Sequence, residues 1–141
     1  MNYKSNIYIG LLISALFFTS CTKDKGPIIP ELNISTVSFA TDVQPIFDAN
    51  CTVCHNTAAS VSNGNLDLSE GNSYTELVNV VADAYAPNIL VLPADSEASI
   101  LVSKTNESGD FGDNMPLGPT ALSTTDQEII RVWIAEGALD N

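Results

Sequence analysis

Cys51-Thr52-Val53-Cys54-His55 is the stretch that decides how this chain reads. Its C-x-x-C-H spacing is the attachment signature of a c-type haem. Residues three apart share a helix face, so Cys51 and Cys54 reach one edge of a macrocycle, each thiol adding across a vinyl group. His55 follows directly and turns its imidazole to the iron as the proximal axial ligand. His55 is the only histidine in the sequence, and the only other cysteine, Cys21, lies thirty residues upstream. Two blander readings compete. A dithiol redox motif belongs in a thioredoxin-like βαβ pattern, and no such strand pattern surrounds it. A zinc site wants four ligands in tetrahedral array. Only three nitrogen or sulfur donors stand here, and no second cluster completes the set.

Working outward, Thr41-Asp42-Val43-Gln44 matches a capping box with Thr41 as N-cap and Gln44 reaching back. Pro45 falls in the first turns, where a missing N–H costs little. Val43, Ile46, Phe47, Cys51 and Cys54 follow at helical spacing. The pattern predicts a helix from Asp42 to Cys54 that carries the motif at its C-terminal end, with Ile46 and Phe47 in the core.

Residues 56–72 read as a loop rich in Asn, Ser and Gly, with Leu66 and Leu68 dipping toward the haem. Asn72 or Ser73 would cap a short helix through Tyr74, Leu77 and Val78. Asp95 or Ser96 would cap another carrying Ile100, Leu101 and Val102. Gly109 to Pro119 is a Gly/Pro/Asp/Asn loop holding Met115, the only methionine besides Met1. Methionine usually fills core gaps, and a polar loop is a poor place for core. Given the upstream motif, Met115 is a candidate distal ligand: a thioether there raises the haem potential, and Pro116 stiffens the loop behind it. Two caps are available to the last helix, Ser123 with Asp126 or Thr124 with Gln127. Its apolar face holds Ile129, Ile130, Trp133, Ile134 and Gly137. Trp133 reads as core, with a bond from its indole N–H to a haem propionate as the alternative.

The chain opens with Lys4 and an apolar run of twelve residues, Ile7 to Phe18, too short for a comfortable membrane span. Phe18-Thr19-Ser20-Cys21 resembles the box of a bacterial lipoprotein signal, which implies cleavage after residue 20 and diacylation of Cys21. An ordinary signal peptide followed by a free cysteine is the plainer reading. Residues 21–37 would be the lipidated N-terminus and a tether broken by Gly26, Pro27 and Pro30, reaching on the order of 20 Å as a random coil. A c-type motif behind an export signal is self-consistent, because bacterial haem attachment takes place outside the cytoplasm. Thr22 lacks the aspartate of an inner-membrane retention signal, which points to a lipid-anchored, periplasm-facing protein of the outer membrane.

The sequence carries 17 acidic and 5 basic side chains, a formal charge of −12, and cleavage after residue 20 removes Lys4 and takes it to −13. Phosphate binding needs a basic surface, so nucleic acid is excluded as a partner. Solubility alone accounts for such a surface; steering toward a redox partner with a basic docking patch is the functional reading.

Taken together, residues 38–141 resemble a small monohaem, class I-type cytochrome c domain, of the kind found on exported proteins of Bacteroidetes-like bacteria. The pieces stand in order: a short helix ending in the C-x-x-C-H motif, a middle of loops and short helices, Met115-Pro116 in a loop, and Ile130-Arg131-Val132-Trp133-Ile134 in the last helix. The resemblance implies an all-α, cytochrome c-like fold with its N- and C-terminal helices packed together around one covalent haem c. It implies thioethers at Cys51 and Cys54, and iron held by His55 and Met115. The function implied is single-electron transfer rather than catalysis. The family often has a proline soon after the motif, whose region supplies a carbonyl to the histidine Nδ1. Here no proline stands between His55 and Pro87, so that acceptor is unassigned. A haem enzyme or gas sensor with an open sixth position is one rival. A fixed electron-transfer subunit of a larger membrane complex is the other.

Overall fold

Ser38, not Thr41, starts the first helical segment. Its Oγ accepts the Thr41 N–H at 3.3 Å, and Asp42 Oδ2 accepts the Ser38 N–H at 2.8 Å. This is the reciprocal logic of a capping box spread over one more residue. The wider spacing suits the π-helical turn over Phe39–Val43, which brings both of its end residues into the core. The computed structural model describes residues 36–141. The expected export signal and the Cys21 lipidation site lie outside the described residues, as does all of the expected tether except Thr36 and Val37. Val37 is buried, and its N–H is taken by Glu136 Oε2 at 2.9 Å.

Helix α1 spans Gln44–Asn50 and stops short of the predicted Cys54. The reason is local. The Thr52 hydroxyl donates to the Asp48 carbonyl, the acceptor that the next helical turn needs. The Thr52 N–H instead reaches back to Phe47 O, which already accepts from Cys51. Residues 51–55 therefore form a tight turn at the helix end, with the Cys54 and His55 N–H groups both donating to Cys51 O at 3.0 and 2.9 Å. Gln44 is likewise no cap. It is buried within the first turn, and its amide bonds inward to Leu68 O.

Among the described residues a 3-10 turn at Ser60–Ser62 and three further α-helices follow: α2 (Ser73–Leu77), α3 (Ile100–Thr105) and α4 (Thr124–Ala135). Asn72 precedes α2, as one of the two expected options had it, but makes no side-chain cap bond. α3 begins after Ser99 rather than after Asp95 or Ser96. Asp95 Oδ1 accepts the Ala98 N–H, closing a separate turn ahead of the helix. For α4 the Ser123 option holds: its Oγ accepts the Asp126 N–H at 3.1 Å. α4 ends in a Schellman motif at Gly137, whose φ is +107°. The Gly137 N–H donates to Ile134 O and the Ala138 N–H to Trp133 O.

The described residues form no strand, only isolated bridges between Val78 and Val91 and between Val81 and Ile89. The fold is all-helical, and its first and last helical segments pack together as expected. Phe39, Val43, Ile46 and Phe47 meet Ile130, Trp133 and Ile134 in one core. The Phe39 ring stands 5.1 Å from Trp133 and 5.3 Å from Tyr74, distances at which aromatic pairs attract. The Trp133 indole N–H donates to Leu139 O at 2.9 Å. It is thus occupied by the backbone, and the propionate alternative loses its donor. No helix among the described residues is long and apolar enough to cross a membrane.

Candidate haem attachment site

The turn after α1 brings Cys51, Cys54 and His55 together. Cys51 caps the helix, half-buried against the core, while Cys54 is exposed; both thiols are free. Burial pushes the Cys51 thiol up to about 11, so it stays protonated at neutral pH. His55 is half-buried. Its Nδ1 is shut off from solvent and has no hydrogen-bond partner among the described residues. This matches the missing proline carbonyl: no other acceptor among them has taken its place.

The backbone around the imidazole is held tightly. The Leu68 N–H donates to His55 O at 3.0 Å. The Leu68 carbonyl accepts from Gln44 Nε2 at 3.1 Å, and the same amide donates to Asp48 Oδ1 while its oxygen accepts from the Ser73 hydroxyl. One residue earlier, the buried Asp67 gathers the loop. Its carboxylate accepts from the Thr57 hydroxyl at 2.6 Å, the Ser69 N–H at 2.9 Å and Asn72 Nδ2 at 2.9 Å. The Thr57 hydroxyl foremost, then the Ser69 and Asn72 donors, hold this carboxyl well below the usual carboxylate range. Asn63 ties the other flank by donating to Cys54 O at 2.7 Å. Asp67 and the true role of Gln44 went unread in the sequence. The available signal was a lone carboxylate between Leu66 and Leu68, both of which turn inward.

Met115 comes from a separate loop. It is half-buried, and its N–H donates to Lys104 O at the end of α3. Elsewhere on the core the chain leaves apolar surface half-covered: Leu66, Val78, Leu90, Leu101, Ile129 and Val132 pack on it without being enclosed. On α4, Ile129 and Val132 are three apart and so share a flank beside Trp133.

These residues fit a c-type haem. Two unbridged thiols three residues apart sit in one turn, and the imidazole follows directly after the second. Among the described residues no three His, Cys, Asp or Glu side chains are grouped to hold a metal ion. Two cavities elsewhere, one lined by Val37, Trp133 and Leu139 and one by Phe39, Gln44 and Tyr74, include none of the four candidate residues.

No family model matches the chain, and no curated protein matches it. Among solved structures, Kuenenia stuttgartiensis hydrazine synthase is similar, with 22% sequence identity and a TM-score of 0.49 over 73% of this chain. The chain spans only 16% of that protein's length.

Proposed function

We propose that this protein is an exported, membrane-tethered c-type cytochrome that carries single electrons through one covalent haem. The observation that carries this reading is the turn at 51–55: two free thiols three residues apart, with an imidazole directly after the second. A dithiol oxidoreductase needs a thiol of lowered pKa, and burial moves Cys51 the other way.

Bound haem supplies a one-electron couple at iron. Cys51 and Cys54 would hold the macrocycle by thioethers, and His55 would offer Nε2 to the metal. With no acceptor for Nδ1 among the described residues, the imidazole would be a weaker donor than a hydrogen-bonded one. This would favour the reduced state, as would a soft thioether from Met115 as the second protein ligand. With both ligands in place the site would pass electrons and bind no substrate.

The acidic surface suits brief encounters with a redox partner that presents a basic patch, with rates that fall as salt rises. Diacylation at Cys21 would keep the domain at the periplasmic face of the cell envelope, on the outer membrane, since more than one acyl chain anchors stably. A Cys21→Ser chain should leave the membrane fraction after export.

The deciding experiment is an absorption spectrum of the protein matured in a host able to attach haem, in both oxidation states. A red protein with low-spin bands, whose pigment stays with the chain through denaturing extraction, is expected. A colourless one ends the reading. Carbon monoxide separates the haem-enzyme rival, since a reduced carrier with a filled sixth position resists it and an open site binds it at once.

A further inference from the structure

The loop that carries Met115 is soft by composition. Gly109, Gly112 and Gly118 all have positive φ, and the loop builds no helix or strand of its own. Methionine adds three rotatable bonds. A thioether on such a loop meets the iron reproducibly only if something else fixes the backbone, because ordering each residue costs about 1–2 kcal/mol.

One residue meets that need twice. Lys104 stands in the last turn of α3, where the final carbonyls of a helix lack partners. Its carbonyl accepts the Met115 N–H at 2.7 Å. Its ammonium reaches forward and donates to Asp113 O at 3.0 Å, two residues before the methionine. The same ammonium lies 5.2 Å from the centre of the Tyr85 ring, within cation–π range. Phe111 packs edge-on against that ring at 5.4 Å. Gly112 fits beneath it: a Cβ there would come within 2.9 Å of the Tyr85 hydroxyl, at a φ of +79°. In a strongly acidic chain, a lysine is expected to pair with a carboxylate. Among the described residues the ion pair is Arg131 with Glu128 instead, and Lys104 spends its charge on a backbone carbonyl of this loop.

We propose that Lys104 is a positioning residue for Met115, clamping the loop through its own carbonyl and its ammonium, with Tyr85 and Phe111 as the bearing surface. The proposal rests on Met115 being the distal ligand, and its test separates the two. Exogenous imidazole competes with the distal ligand for ferric iron, so its apparent affinity in an optical titration reports how firmly the methionine is held. Haem-loaded Lys104→Met keeps the bulk of the stem and the helix but loses the charge. It should bind imidazole about fivefold more tightly than the parent, the factor expected from about 1 kcal/mol of lost hydrogen bonding. Lys104→Arg, which keeps a donor to Asp113 O, should stay near the parent. Gly112→Ala, which crowds the Tyr85 hydroxyl at 2.9 Å and leaves the Lys104 ammonium at ordinary contact distance, 4.0 Å, should move in the same direction as Lys104→Met and serves if that variant does not accumulate. Met115→Ala sets the ceiling. If Met115→Ala binds imidazole far more tightly than the parent while Lys104→Met and Gly112→Ala do not differ from it, the clamp is refuted and the ligand stands. If Met115→Ala itself binds like the parent, distal ligation fails and the clamp with it.

Discussion

The two sides of the proposed iron site are built in different ways. On the His55 side, the backbone is fixed by buried polar side chains that belong to the core. Gln44 and Asp67 are themselves buried, and their bonds join α1, the 66–69 segment and α2. On the Met115 side, a glycine-punctuated loop hangs from one lysine and a half-buried aromatic pair. On the proposed reading, His55 would be the more firmly placed ligand and Met115 the more easily exchanged one.

That contrast can be broken from the proximal side first. Gln44→Ala leaves the Ser73 hydroxyl and the Leu68 carbonyl without the amide they bond, both on buried residues. It should cost about 2–3 kcal/mol in denaturant unfolding, the scale of leaving buried polar groups unsatisfied. A loss below about 1 kcal/mol would mean that the proximal side is no more rigid than the distal one.

Asp67→Asn sharpens the comparison through pH. The native carboxyl titrates below its unfolded value of about 3.9. It therefore contributes stability that is fully present above that value and lost as pH falls through the native one. The parent should lose stability from about pH 4 downward, and Asp67→Asn should show a flatter acid limb. Identical acid limbs for the two chains would remove Asp67 from the network.

The smallest effect belongs to a pair outside both regions. Arg131 donates from Nε and one terminal nitrogen to the two Glu128 oxygens at 2.7 and 2.6 Å. The pairing lowers the Glu128 pKa and raises that of Arg131, but both side chains are over 40% exposed. Arg131→Ala should change stability by less than about 0.5 kcal/mol and leave imidazole binding alone.

Features that depend on near neighbours were legible in the sequence. The motif, Ser123 as one of two possible caps of α4, and the apolar residues of the two packed helices were readable from spacing. Other features depend on which of two local bonds wins. Ser38 outcompetes Thr41 because Asp42 can reach back to it, and Thr52 ends α1 by taking a carbonyl with its hydroxyl. Gln44 looked like a cap because a polar side chain in a first turn has the same appearance whether it faces water or the interior. Its decisive partner, Ser73, is 29 positions away. Asp67 draws on Thr57, ten positions back, across a loop whose path no periodicity describes. The candidate distal residue could be named from its isolation in a polar loop, but Lys104 could not be linked to it without the fold.

Trp133 is the only tryptophan in the sequence, and it is 1% exposed in the centre of the core. A porphyrin stitched to the neighbouring turn would drain its fluorescence by energy transfer. The folded, loaded chain should be dark in the ultraviolet, brightening as denaturant carries indole and pigment apart, while an unloaded chain glows from the outset. Loaded with haem, the molecule would thus contain its own optical gauge of both maturation and unfolding.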